Sequence, residues 1–246
     1  MTDKCRIGMN LSGFVEILKS FVEILDAKDH YTEQHSCRVN EYSVCIARAL
    51  GLDEESVECC RYAGLLHDIG KVGIPAKVLN KKGPLKGREK KIIRSHPLIG
   101  EVFLSNGRIT KSVLKGEIKL EEVLKILSRD DCSISRKIRE TVFAHHERFN
   151  GRGYPQKLKG AQIPVTAYVL GIADSLDAMT TQRPYRSRMS FDDAVKKLSR
   201  EQEKRMLFDP HVFAGFLRAR NGLSAIFERK NPPEEKLQNR PSTTAA

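Results

Sequence analysis

The chain has 246 residues, enough for one large domain or two small ones with a real core. Hydrophobic residues make up 40% and charged residues 30%, which excludes a wholly disordered chain. Lys and Arg number 43 against 31 Asp and Glu, a net charge of +12 that attracts polyanions without naming one.

No apolar run reaches the roughly 20 residues of a membrane span, and the opening MTDKCRIGMNLSGF lacks the apolar stretch of a secretory signal. Cysteines at 5, 37, 45, 59, 60 and 132 show no zinc-type pairing. They read as small buried hydrophobes in a reducing cytoplasm, adjacent Cys59 and Cys60 included.

In chain order, helix follows helix. Residues 11–27 place Phe14, Ile17, Leu18, Phe21, Val22 and Leu25 on one face. Residues 34–50 repeat the pattern through Val39, Tyr42 and Ile46. Asp53 is placed to cap a helix running toward Leu65 and Leu66. Residues 80–95 set Lys81, Lys82, Lys86, Arg88, Lys90, Lys91 and Arg94 against the single acid Glu89. They read as a solvated loop and helix face in preference to an anion patch. Segment 105–140 carries a helical stripe, Leu120, Val123, Leu124 and Leu127. It is either an insertion packed on the core or a surface for a protein partner. Ser190 and Asp193 form a capping box, and Asp209-Pro210 opens a helix through Phe213, Phe216 and Leu217. No alternating strand pattern exceeds four residues, so the fold class is all-α. The expected organisation is a helix and lead-in over 1–33, one helical domain over 34–222, and a disordered tail over 223–246, Pro-rich from 230 on. The 34 residues before His35 leave no room for a receiver or sensory domain, so regulatory input is expected from elsewhere.

The chemistry concentrates at a few points. His67-Asp68 lies in LLHDIGKVGIP, His96 in HPLIG, His145-His146 in HHERFNGRGYP and Asp174 in GIADSLDAMT; His35 stands one turn before Val39. A lone histidine on an apolar face is usually a hydrogen-bonded core residue, and His30 and His211 keep that reading. Asp68 and Asp174, however, lie among apolar neighbours, where an unpaired carboxylate is costly. Carboxylates among neutral imidazoles suit Fe, Mn, Co, Ni or Zn. Asp68 beside His67 on one helix can bridge two metals, which points to a dinuclear site gathered from several helices. Lys71, one turn on, faces the same pocket or solvent. Gly151, Gly153 and Pro155 break helix and let a phosphate approach the backbone. Tyr154 either stacks on a base or packs its loop, and Arg148 and Arg152 suit phosphate or guanine. Asp177 is placed to orient a ligand rather than to be one.

HDIGK, then HP, then HHERFNGRGYP, then ADSLDAMTTQRPYR, in that order, resembles the HD-GYP branch of the HD phosphohydrolase superfamily over roughly residues 20–218. The resemblance implies an all-helical domain with two or three metals, usually iron or manganese. It implies hydrolysis of cyclic di-GMP to linear pGpG, GMP or both, by attack of a metal-bridging hydroxide. By position it makes His35, His67, Asp68 and Asp174 ligands of one metal. Asp68 then bridges to a second metal held by His96, His145 and His146. It makes Lys71 the lysine at the scissile phosphate, and Arg183 and Arg186 contacts to the nucleotide. Members with a third metal carry Glu where this chain has Tyr31, which argues for two and leaves His146 either a ligand or a neighbour of one. The 49-residue interval from His96 to His145 is longer than expected, with the excess in 105–140. A catalytically silent cyclic di-GMP receptor and a hydrolase of another nucleotide stand as alternatives. No nucleic-acid recognition module appears.

Overall fold

The computed structural model describes residues 34–106, 133–182 and 187–230, with no strand among them. The described residues hold ten α-helices. They are α1 (His35–Ala49), α2 (Glu54–Leu66), α3 (Ala76–Leu79), α4 (Gly87–Ile93), α5 (His96–Asn106), α6 (Ser133–Ala144), α7 (Val165–Thr180), α8 (Phe191–Arg205), α9 (Pro210–Arg218) and α10 (Arg220–Lys230). Short 3-10 helices cover Ile69–Gly73 and Gly160–Gln162. The all-α expectation holds. The helix expected over 11–27, Tyr31, the stripe 120–127 and the pair Arg183 and Arg186 lie outside the described residues.

The helix starts follow their capping chemistry. Asp53 accepts the Ser56 N–H at 2.7 Å. Ser190 accepts the Asp193 N–H at 3.1 Å and donates to its carboxylate at 2.7 Å. Asp209 accepts the N–H groups of His211 and Val212 at 2.8 and 3.2 Å, with Pro210 opening α9. Each such cap contributes about 1 kcal/mol.

Helix α7 is the hub of the bundle, packed against α1, α2, α6, α8 and α9. Its Val169, Leu170, Ile172, Ala173 and Leu176 are fully buried. Burying one Leu or Ile side chain is worth about 1.5–3 kcal/mol, so a carboxylate on this helix needs a strong local reason. A second, smaller core of Ile74, Val78, Ile99 and Val102 seats α3 and α4 on α5.

Two glycines set how the ligand-bearing elements meet. A Cβ on Gly64 would stand 2.6 Å from the Asn40 Cα, so α1 and α2 cross there at backbone contact. A Cβ on Gly70 would stand 1.9 Å from the His96 carbonyl oxygen, so the first 3-10 helix presses on the start of α5. The first crossing brings His35 to His67, and the second brings His96 to Asp68.

One boundary is corrected. The domain was expected to end at 222, but α10 continues to Lys230 with Leu223 fully buried. Gly222 is where α10 meets α1: a Cβ there would lie 2.8 Å from the Cys45 sulfur. No helix among the described residues is long and apolar enough to cross a membrane.

Candidate metal centre

Four histidines stand at helix ends. His35 opens α1, His67 caps the C-terminus of α2, His96 opens α5, and His145 directly follows α6. Three of them bond a carbonyl that the preceding helix leaves without an amide partner. His67 Nδ1 donates to the Gly64 carbonyl at 3.0 Å, His96 Nδ1 to Ile93 at 2.8 Å and His145 Nδ1 to Val142 at 2.6 Å. His35 Nδ1 donates to the Asp177 carboxylate at 2.7 Å. These acceptors cannot donate, so each imidazole carries a proton on Nδ1 and turns its Nε2 inward.

The Nε2 atoms converge. His35 Nε2 and His67 Nε2 are 3.1 Å apart, and His96 Nε2 and His145 Nε2 are 3.4 Å apart. At these separations each pair shares either a proton or a cation. Two sets of side chains fit a cation, His35 with His67 and Asp68, and His96 with His145 and His146; within each set the ligand atoms lie within 4.8 Å of one another. Asp174 joins the first set, its Oδ1 3.6 Å from His35 Nε2.

Asp68 stands between the sets. Its Oδ2 is 3.3 Å from His67 Nε2 and 3.6 Å from His35 Nε2, while its Oδ1 is 3.3 Å from His96 Nε2. The sequence reading put His67 and Asp68 on one helix. Instead α2 ends at Leu66, and Asp68 is the lead residue of the 3-10 helix. That break swings the carboxylate between α2 and α5.

The electrostatics suit cation binding. Burial would raise the Asp68 carboxyl, but Lys71, His67 and His96 hold it well below the usual carboxylate range. Lys71 Nζ lies 2.9 Å from Asp68 Oδ2. Burial, then the neighbouring imidazoles, pushes His145 and His146 far below the ordinary imidazole value, so both rings are neutral. The C-terminal ends of α2 and α6, each the negative end of a helix dipole, carry His67 and His145.

Support around the ligands is dense. Asp177 meets His35 with one oxygen and the Arg38 Nε with the other, at 2.5 Å. Arg38 and Thr181 donate further bonds to its Oδ2 at 3.2 and 3.1 Å. Asp177 thus stands behind His35, on the ring nitrogen that faces away from the centre. Arg38 and Thr181 were missed, since nothing marks them but a spacing of one turn from His35 and from Asp177. Glu147, also missed, accepts the N–H groups of Gln156 and Lys157 at 2.6 and 3.0 Å and so ties the GYP loop to the ligand segment.

The expected substrate contacts divide. Tyr154 lies beside the second set, its ring centroid 4.7 Å from that of His146. Gly153 lies against its own chain, where a Cβ would meet the Glu147 Cα at 2.4 Å. Arg148 lies across the Phe208 ring at 5.0 Å and donates to the Glu147 carbonyl, turned toward the core.

Comparison with known proteins agrees with this arrangement. A family model described as HD domain matches residues 19–122 and 117–212. The chain is 31% identical over 215 residues to a cyclic di-GMP phosphodiesterase of Thermotoga maritima, covering 87% of this chain and 52% of the relative. It is 33% identical over 205 residues to 3′3′-cGAMP-specific phosphodiesterase 3 of Vibrio cholerae, covering 83% and 39%. The chain thus spans about half the length of these curated relatives or less. Among solved structures, the HD domain of the Listeria monocytogenes phosphodiesterase PgpH, solved with cyclic-di-AMP, shares the fold. It aligns at TM-score 0.55 and 15% identity, over 87% of this chain and 98% of that one. Motifs, helical architecture and family match together show that the chain belongs to the HD domain family, in its HD-GYP branch.

Proposed function

We propose that the protein is a metal-dependent phosphodiesterase that hydrolyses cyclic di-GMP to linear pGpG, GMP or both, using two divalent cations, iron or manganese. One observation carries this reading: the two oxygens of Asp68 divide between two imidazole sets whose Nε2 atoms already converge. Bound there, a cation pair supplies Lewis acidity to phosphoryl oxygens and lowers the pKa of a water. His35, His67, Asp68 and Asp174 would hold one cation; His96, His145 and His146, with Asp68 shared, the other.

The chain's own groups do the rest. The Nδ1 bonds fix each imidazole's tautomer and ring angle, so binding costs little ordering of side chains. Lys71 sits at the Asp68 carboxylate and is the residue to neutralise the scissile phosphate or to hand a proton to the leaving 3′ oxygen. Arg183 and Arg186 are assigned to the nucleotide by the RPYR motif alone, and segment 105–140 to a protein partner.

The names of the relatives set a second substrate beside the first. One is named for cyclic di-GMP and another for 3′3′-cGAMP at nearly equal identity, and both ligands contain guanine and two phosphodiesters. A substrate panel on anaerobically purified protein loaded with iron or manganese separates them. Release of pGpG or GMP from cyclic di-GMP is the expected result. Preference for 3′3′-cGAMP moves the assignment to that substrate, and turnover of mononucleotides alone removes it.

A further inference from the structure

Arg94 lies two residues before the ligand His96, at the end of α4, and is exposed. Its guanidinium sits 5.2 Å above the Tyr154 ring. That ring is 4.7 Å from His146, which is 5.0 Å from the ring of His96. The stack therefore runs from the second imidazole set outward to a cation at the surface. A guanidinium resting on an aromatic face keeps its N–H fork free along its edge, and the fork matches a phosphate.

Among the described residues, the other cations that bond at the centre are committed. Lys71 bonds Asp68, Arg38 bonds Asp177, and Arg148 lies across Phe208. The acid of α4 is committed too: Glu89 bonds Lys81 at 2.6 Å and accepts the Lys86 N–H at 2.7 Å, so it does not neutralise Arg94. A cyclic dinucleotide carries two phosphodiesters. Only one can lie at the cation pair and Lys71; the other is an anion that must be met elsewhere.

We propose that Arg94, propped on Tyr154, binds the phosphodiester that is not being cleaved, and so selects two-phosphate cyclic substrates over single phosphodiesters. This rests on the phosphodiesterase reading above and adds a residue to it. It also revises the view of 80–95 as a plain solvated face: one of its seven cations is aimed at the centre.

The test uses the full chain loaded with manganese, comparing cyclic di-GMP with bis(p-nitrophenyl) phosphate, which has one phosphodiester. Arg94→Ala should raise KM for cyclic di-GMP about tenfold with kcat within about threefold. The ratio of kcat/KM between the two substrates should fall about tenfold, and Arg94→Lys should recover part of it. Arg88→Ala makes the same charge change on the same helix and controls for general attraction; it should leave that KM within about twofold. Equal losses on both substrates, a loss in kcat alone, or an equal effect of Arg88→Ala would overturn the assignment of Arg94. Failure of the unmodified protein to cleave cyclic di-GMP would instead overturn the phosphodiesterase reading, and the Arg94 assignment with it.

Discussion

The two ligand sets are built from different materials. The first joins two imidazoles to Asp68 and Asp174, and Asp177 with Arg38 stands behind His35. The second consists of His96, His145 and His146, with only the shared Asp68 oxygen as an anion. The first set is thus anionic and braced by charges, while the second is neutral and held by main-chain carbonyls. A divalent ion gains more from the first, so the sets should fill in order. The second position is the looser one, suited to exchange and to contact with substrate.

Substitutions can break this contrast. The largest effect should come from Asp68→Ala, which serves both sets: loss of both metals and a fall of about a thousandfold or more in kcat/KM, read by metal analysis and turnover. Retained stoichiometry of two would refute the shared role. His146→Ala should weaken the second position about a hundredfold in a calorimetric metal titration while one metal stays bound. Asp177→Asn should do the reverse, costing the first position 10- to 100-fold and sparing the second. Equal losses at both positions in either variant would erase the distinction.

The gentlest test is pH. Burial alone would lower His67, but the charge of Asp68, its hydrogen bond and Asp174 outweigh it and lift the metal-free imidazole to about 9. A metal entering the first set below that pH must displace this proton. Its apparent affinity should rise about tenfold per pH unit toward 9, with about one proton released. The second set, whose His145 and His146 are held neutral, should show a flat profile. In the metal-free protein the same proton stabilises the fold: the contribution is full below the ordinary 6.5 and is lost as pH rises through about 9. Buffers of different ionisation enthalpy reveal the proton directly, and equal release at both positions would contradict the contrast.

Much of this centre is legible in the chain. His67, Asp68, His96, His145 and His146 fall in motifs whose residue types have little structural use among apolar neighbours. Asp174 announces itself as an acid on α7, the helix with the greatest burial. What the motifs do not carry is the bracing. Arg38 matters through its contact with Asp177, 139 residues away, which no local pattern encodes, and Thr181, one turn past Asp177, gains its role only from that meeting. Glycines are the ambiguous letters. Gly222 falls at the expected domain end and is the seat of α10 against α1, while Gly64 and Gly70 mark backbone contacts that no motif announces. A missing side chain looks the same in sequence whether it frees the backbone or lets another element touch it.

The seam at Gly70 has a consequence for ion selection. There the main chain of one element rests on the main chain of another, with no room even for a methyl group. The gap between Asp68 and His96 is therefore set like the jaws of a fixed gauge, by peptide units rather than by pliable rotamers. A cation held there should be a small one with short, regular bonds, and calcium, which needs six to eight oxygens and room to spread, should bind poorly in a competition titration.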